Sequence, residues 1–131
     1  MRFLDTQILI WALEDNSQLK VHLRRIIEDN DHEILVSQFS LMEIAIKLKL
    51  GKLPAFVATM EAFVEQITTS GFTVLPGAIQ HIIAYQRLAF FDDHRDPFDR
   101  FLLATALSEN IPIISADAKF LRYPPVVEVI N

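Results

Sequence analysis

Four acidic residues of this sequence stand where apolar runs begin or end. They come from widely separated parts of the chain: Asp5, Glu43, Asp99 and Asp117. In a chain this apolar, carboxylates at strand ends and helix starts are expected to converge on one site, because those ends meet at the edge of a sheet. Carboxylate oxygens are the ligands that hard divalent cations prefer. The pattern therefore predicts a metal site built from acidic side chains.

Short strand-like runs alternate with longer helical patterns along the chain. The predicted strands cover residues 2–4, 33–37, 72–75, 111–115 and 126–130. The predicted helices cover residues 6–13, 18–28, 40–50, 53–67, 79–88 and 97–109, with Thr6 as the cap of the first. Strands separated by helices imply parallel crossover connections. We therefore expect a three-layer α/β sandwich with a central parallel sheet of about five strands.

The composition restricts the class of protein that carries this site. A chain of 131 residues with 51% hydrophobic content suits one domain spanning residues 1–131. The absence of cysteine excludes thiolate metal sites and leaves oxygen or imidazole ligands. The net charge of -5 argues against a uniformly basic nucleic-acid groove. It does not exclude RNA, because a metal cluster supplies positive charge where a phosphate reacts.

The apolar stretches fall far short of the roughly 20 residues that cross a bilayer. The first residues also lack the pattern of a secretory signal, because polar residues interrupt the apolar run and no small-residue cleavage site follows. The sequence therefore predicts a cytoplasmic protein without a membrane segment.

Each acid also has a structural explanation. Ser40 and Glu43 fit a capping box at the start of a helix. Asp96 precedes a first-turn proline as an N-cap, and Asp99 falls in that same first turn, where the helix dipole favours an anion. Asp117 fits the cap of a short turn over residues 118–121. The two interpretations are compatible, since helix N-termini aimed at the cluster would stabilise the ionised carboxylates that a metal needs.

Four segments of the sequence resemble the PIN domain family, in its VapC-type toxin branch. They are Phe3–Leu13, Ser37–Lys52, His94–Arg100 and Ile114–Asp117. Their order, their spacing and the total length agree with the family together, and the resemblance covers essentially the whole chain. It implies a metal-dependent endoribonuclease with a five-stranded parallel sheet, usually a homodimer, held inactive by a small antitoxin protein.

The resemblance also implies roles for individual acids. Those that map onto the catalytic quartet are Asp5, Glu43, Asp99 and Asp117. Asp5, Asp99 and Asp117 would hold one or two Mg²⁺ or Mn²⁺ ions, which polarise a phosphodiester oxygen and lower the pKa of a bound water. Glu43 would orient that water or a ligand water. Asp96 and Asp99 are alternatives for the same acidic position of the quartet, and the helix register matches the family better at Asp99.

Other residues near these motifs have auxiliary roles. Ser115 and Thr6 stand where the family often has a hydroxyl near the metal. Arg100 is predicted to pair with a carboxylate, with a phosphate contact as the alternative. His94 and Arg95 are interpreted as RNA contacts or as members of a solvated loop, and the loop is favoured.

The fourth predicted helix, over residues 53–67, carries an apolar stripe. Its residues keep helical spacing: Leu53, Phe56, Val57, Met60, Phe63 and Val64. Most of this face is expected to pack on the sheet. Together with Ile46, Leu48 and Leu50, the stripe offers more apolar surface than one face readily buries, so part of this surface is expected to bind a partner. The resemblance suggests an antitoxin helix in that groove.

Other metal-dependent and metal-free classes fit the residues less well. A phosphoacceptor receiver domain needs an acidic pair after the first strand, where this chain has Asp5 and Thr6, and an aspartate ending the third strand, which is missing. A haloacid-dehalogenase-like phosphatase needs an acid at the position of Gln7. A metal-free ribonuclease needs paired imidazoles, and no two histidines share a motif. The alternative that survives is a non-catalytic domain of the same fold that binds RNA or protein.

Overall fold

A parallel sheet forms the centre of the fold in the computed structural model, which describes residues 1–56 and 58–131. Its strands are β1 (Arg2–Leu4), β2 (Ile34–Ser37), β3 (Thr73–Leu75), β4 (Ile113–Ile114) and β5 (Val129–Ile130). Over the described residues they lie in the order β3-β2-β1-β4-β5, and every neighbouring pair is parallel. The predicted α/β sandwich with a parallel sheet is confirmed.

Helices cover both faces of the sheet. They are α1 (Thr6–Glu14), α2 (Val21–Glu28), α3 (Gln38–Lys49), α4 (Met60–Thr69), α5 (Ile79–Arg87) and α6 (Pro97–Glu109), followed by a 3-10 helix at Ala118–Arg122. Side chains alternate along β1, so Leu4 packs with the core formed by α1 to α4 while Phe3 packs with α6 and the 3-10 helix. Two apolar cores therefore hold the sheet from opposite sides.

The strand order reverses beside β1. From β1 the chain moves outward through β2 and β3, then returns to the other side of β1 to form β4 and β5. A crevice at such a switch point lies at the carboxyl ends of the two central strands. Asp5 follows β1 directly, and Ser115 follows β4, so the topology directs both residues to this crevice.

Two predicted helix starts are wrong. Asp5 and not Thr6 caps α1, since its side chain accepts a hydrogen bond from the backbone N–H of Ile8. Helix α3 begins at Gln38 because Ser37, at the end of β2, already caps it through the backbone N–H of Phe39. Ser40 and Glu43 consequently lie inside α3, and the capping box expected between them does not form.

The helix predicted over residues 53–67 is shorter than expected. Helix α4 begins at Met60, where Thr59 caps it through the backbone N–H of Ala62. Leu53 and Phe56 still pack against the core, but they do so from an irregular segment before the helix. Val57, which was assigned to the same stripe, lies outside the described residues. No helix in the described part of the chain is long and apolar enough to cross a membrane.

Candidate metal centre

A cavity of about 320 Å³ opens at the switch point of the sheet. All four acids of the predicted quartet line it: Asp5, Glu43, Asp99 and Asp117. They arrive from four different elements, namely the end of β1, the middle of α3, the first turn of α6 and the segment after β4. Thr6 and Lys47 also line the cavity. The structure therefore brings together the acids that the sequence places far apart.

Asp5 is the most deeply buried aspartate of the cavity. Its Oδ1 accepts a hydrogen bond from the backbone N–H of Ile8 at 2.7 Å, and the Ser115 hydroxyl is a further hydrogen-bond partner. Burial raises the pKa of Asp5 to about 7, helped by the charges of Asp99 and Asp117 and opposed by the two hydrogen bonds. At neutral pH this carboxyl is poised between holding a proton and holding a cation.

Asp117 lines the cavity from the segment after β4, and the neighbouring Ser115 supports it. Asp117 caps the 3-10 helix, and its Oδ1 accepts from the backbone N–H of Lys119 at 2.9 Å. Its own backbone N–H donates to Ser115 Oγ at 3.1 Å. Ser115 is wholly buried, and because its hydroxyl is also a hydrogen-bond partner of Asp5, it links the segment after β4 to Asp5.

Asp96 and Asp99 lie on the same helix but have different surroundings. Asp96 is the exposed N-cap of α6, and its Oδ1 accepts from the backbone N–H groups of Phe98 and Asp99 at 2.8 and 3.2 Å. Asp99 lines the cavity, whereas Asp96 lines a neighbouring groove. Burial raises the pKa of Asp99 to about 6, and the nearby charge of Asp96 adds to this shift while His94 opposes it.

Glu43 and Lys47 face each other one turn apart on α3. Lys47 Nζ lies 2.9 Å from Glu43 Oε2. The other carboxylate oxygen, Oε1, is buried and has no hydrogen-bond partner among the described residues. Burial lowers the pKa of Lys47, but the hydrogen bond and charge of Glu43 outweigh it, so the net shift is upward and the ammonium stays charged. Sequence reasoning missed Lys47, although its i,i+4 spacing from Glu43 was a readable signal.

Thr6 and Ser40 connect the two helices on this side of the cavity. The Thr6 hydroxyl donates to Ser40 Oγ at 3.0 Å, and both side chains are buried. This bond ties the first turn of α1 to α3, so it fixes the position of Asp5 relative to Glu43.

The sequence interpretation of His94 is wrong. His94 is 2% exposed and does not belong to a solvated loop. Its Nδ1 lies 2.9 Å from the Tyr123 hydroxyl, and its Nε2 lies 3.2 Å from Asp99 Oδ2. Its neighbour Arg95 is exposed and pairs with Asp92 at 3.2 Å.

The prediction that Arg100 pairs with a carboxylate is wrong. Its side chain is buried, and Nη1 donates to the Ala89 carbonyl at 2.9 Å and to the Tyr123 hydroxyl at 3.2 Å. The reason is helical phase, because one residue beyond Asp99 the helix has turned about 100° from the cavity toward the core. Burial raises the pKa of Tyr123, so its hydroxyl keeps its proton.

The donor atoms at this site fit a hard divalent cation. One ligand atom each from His94, Asp99 and Asp117 lie within 4.8 Å of one another. Asp5 is coupled by charge to Asp99 and Asp117, and Glu43 adds its unpartnered oxygen nearby. Crowded carboxylates with raised pKa values and an unsatisfied buried oxygen are what a site shows when a cation completes it.

Comparison with known proteins adds an independent finding. The family model described as "PIN domain" matches residues 2–125. A comparison of the sequence with curated proteins gives no match.

The fold is similar to those of several solved structures. A chain of the VapBC2 complex of Rickettsia felis, bound to a DNA fragment from its promoter, has a TM-score of 0.70 and 16% identity, covering 99% of this chain and 97% of that one. The DNA-bound VapBC of Salmonella typhimurium has a TM-score of 0.71 and 19% identity, and the match covers 98% of this chain and 96% of that one. FitAcB of Neisseria gonorrhoeae has a TM-score of 0.68 and 16% identity, and the match covers 100% of this chain and 97% of that one.

Proposed function

The chain belongs to the PIN domain family, and we propose that it is a metal-dependent endoribonuclease that hydrolyses RNA phosphodiester bonds. The observation that carries the proposal is the convergence of four carboxylates from four separate elements on one cavity. Helix capping explains Asp5 and Asp117 individually. It explains neither the position of Glu43 inside α3 nor its buried, unpartnered oxygen.

Asp5, Asp99 and Asp117 are the residues that would hold Mg²⁺ or Mn²⁺. When bound, such a cation polarises a phosphodiester oxygen and lowers the pKa of a water that attacks in line. The three carboxylates must be ionised for this role, and the raised pKa values of Asp5 and Asp99 mean that protons compete for them below neutral pH. The backbone N–H of Ile8 and the Ser115 hydroxyl keep Asp5 oriented in its ionised form.

Glu43 and Lys47 would handle the water and the substrate. Glu43 Oε1, the free acceptor, is placed to receive a hydrogen bond from the attacking water or from a ligand water. Lys47 is the only cationic side chain among the described residues that line the cavity, and about two fifths of its side chain is exposed. Its ammonium is therefore the group of this chain that meets a phosphate oxygen entering the acidic cavity.

The proposed biological role is that of the toxin in a toxin–antitoxin pair. One of the similar solved structures is described as a member of the VapBC family of toxin-antitoxin systems. In this chain, Ile46, Leu50 and Phe98 line an apolar groove of about 250 Å³ beside Glu43. We assign this groove to a helix of the cognate antitoxin, which would cover the acids from their open side. The proposed location of this activity is the cytoplasm, in keeping with an RNA substrate.

A homodimer is the proposed assembly. Helix α5 exposes Ile79, Ile82 and Ile83 on one stripe, an arrangement that costs solvation free energy unless a second surface covers it. A second copy of the chain would bury the two stripes against each other.

The test is cleavage of a mixed RNA pool by the purified chain with Mg²⁺ or Mn²⁺ and with EDTA. Asp99→Asn is expected to abolish cutting, while the matched charge change Asp92→Asn, on an exposed loop outside the cavity, leaves it unchanged. Cutting that persists in EDTA or in Asp99→Asn would contradict the proposal. RNA binding without any cutting would favour the alternative, a non-catalytic binding domain of this fold.

A further inference from the structure

Two buried hydrogen bonds and one partly buried hydrogen bond connect the core of the protein to the acidic cavity. Arg100 Nη1 lies 3.2 Å from the Tyr123 hydroxyl, which lies 2.9 Å from His94 Nδ1. His94 Nε2 lies 3.2 Å from Asp99 Oδ2. Arg100, Tyr123 and His94 are each at most 5% exposed, so bulk water does not compete for the first two bonds. The third bond ends on the Asp99 carboxylate, whose side chain is 26% exposed.

The two ends of the chain fix the directions of the outer two bonds, and the middle bond runs from Tyr123 to His94 when His94 is neutral. A guanidinium only donates and an ionised carboxylate only accepts. Arg100 therefore donates to the Tyr123 oxygen, whose own proton is then free to be donated to His94 Nδ1. A neutral His94 that accepts at Nδ1 carries its proton on Nε2 and donates it to Asp99. This arrangement satisfies all three bonds, with one proton in each.

We propose that His94 and Tyr123 are positioning residues that hold the Asp99 carboxylate toward the cavity, and that His94 acts as a hydrogen-bond donor and not as a metal ligand. The inference deepens the proposed function and rests on it, since Asp99 is assigned there to the cation. His94, Asp99 and Asp117 offer ligand atoms within 4.8 Å of one another, so distance alone would allow His94 to bind the metal. The proposal instead assigns metal binding to the two aspartates and hydrogen-bond donation to His94.

The burial of Arg100 supports a role in this chain of bonds. Among the described residues, its guanidinium forms no ion pair within 4.0 Å and instead bonds to Ala89 and Tyr123. Its ring partner is Tyr85, at 5.2 Å from the guanidinium carbon to the ring centroid. A buried positive charge polarises the bonds that lead away from it, so Tyr123 and then His94 become better donors toward Asp99. Arg100 thus stabilises the carboxylate through two intermediate side chains and without contact.

The variant that tests the proposal is Tyr123→Phe, with Tyr85→Phe as the matched control. Both changes delete the hydroxyl of a tyrosine whose side chain contacts Arg100 and keep the ring, but only Tyr123 belongs to the chain of bonds. Nitrogen NMR of isotopically labelled, metal-free protein reports which ring nitrogen of His94 carries the proton. We expect Nε2–H in the native chain and in Tyr85→Phe, and a mixture of tautomers in Tyr123→Phe.

Metal binding supplies the second readout. Tyr123→Phe is expected to weaken Mn²⁺ binding by up to about ten-fold, because the His94 tautomer without Nε2–H leaves the proposed metal ligand Asp99 without its hydrogen-bond partner, while Tyr85→Phe stays within about two-fold of native. A native His94 protonated on Nδ1, or equal Mn²⁺ affinities of the two variants, would overturn the proposal. So would a strong hyperfine coupling between Mn²⁺ and an imidazole nitrogen, which marks direct ligation.

Failure of this proposal is distinguishable from failure of the proposed function. The tautomer and the Mn²⁺ affinity are measured without RNA. A chain that passes both tests but does not cut RNA refutes the ribonuclease and keeps the positioning role. A chain that cuts RNA while His94 ligates Mn²⁺ directly keeps the ribonuclease and refutes the positioning role.

Discussion

Replacing Asp5 by asparagine is expected to stabilise the metal-free protein at neutral and alkaline pH. The carboxyl is 5% exposed, and its pKa is raised by burial from 3.8 to about 7. A shift of about three pKa units corresponds to about 4 kcal/mol of free energy that the ionised form costs the folded state. Asparagine is uncharged at every pH of interest, so it removes this cost.

The sign of the pH dependence follows from the direction of the shift. The folded state holds the Asp5 proton more tightly than the unfolded chain does. The stabilising contribution of Asp5 to the free energy of unfolding is therefore fully present below pH 4 and is lost as pH rises through 7. Asparagine keeps the oxygen that accepts from the backbone N–H of Ile8 but presents an N–H₂ group to Ser115, a mismatch that costs about 1–2 kcal/mol. We therefore expect Asp5→Asn to be about 2–3 kcal/mol more stable than native near pH 8 and about 1–2 kcal/mol less stable near pH 4.

The assay is urea unfolding in EDTA at both pH values, followed by the fluorescence of Trp11, the single tryptophan. Asp31→Asn, which removes an exposed carboxylate, is the control and should change the unfolding free energy by less than about 0.5 kcal/mol. Equal or lower stability of Asp5→Asn near pH 8 would refute the reasoning, because Asp5 would then be chiefly a structural cap.

Further predictions concern the metal, the substrate and the assembly. Mg²⁺ at about 100 times its dissociation constant should stabilise the native chain by about 2.7 kcal/mol in thermal melts and leave Asp5→Asn unchanged; equal shifts would place the ion elsewhere. Lys47→Met should weaken binding of a short single-stranded RNA and flatten its log–log salt dependence by about 0.7, the value of one phosphate contact. Lys49→Met, the same charge change on an exposed position of α3, should not, and identical slopes would exclude Lys47 as the contact. Ile82→Glu should convert the proposed dimer to monomer in sedimentation equilibrium, whereas an unchanged mass would exclude the α5 stripe as its interface.

The sheet and the meeting of the acids were predictable because both depend on patterns local to each element. Short apolar runs separated by helical periodicity define parallel strands, and strand ends in such a fold share one edge. Asp5 after β1 and Asp117 after β4 are therefore placed by topology alone. The helix starts were less predictable, because Ser37 and Ser40 are equally good caps in sequence and only the end of β2 selects Ser37.

The residues around Asp99 could not be predicted from local pattern. His94 stands among four charged residues, Asp92, Asp93, Arg95 and Asp96, which is the composition of a solvated loop. It is buried because a bridge between Phe91 and His94 turns the segment inward and the rings of Phe120 and Tyr123 pack against the imidazole. The contacts of His94 with Phe120 and Tyr123 join positions far apart in the sequence, so no spacing rule reveals them.

The chemistry of the RNA ends tests the central claim most directly. Native chain, Mn²⁺ and a mixed RNA pool are incubated, and the new ends are identified by end-specific ligation and by mass spectrometry. Hydrolysis through water at a metal centre leaves 5′-phosphates and 3′-hydroxyls, and the account predicts these ends, lost in EDTA and in Asp5→Asn. Cyclic phosphate ends, formed without metal, would contradict it, because they come from attack by the ribose hydroxyl and need none of the four carboxylates as metal ligands.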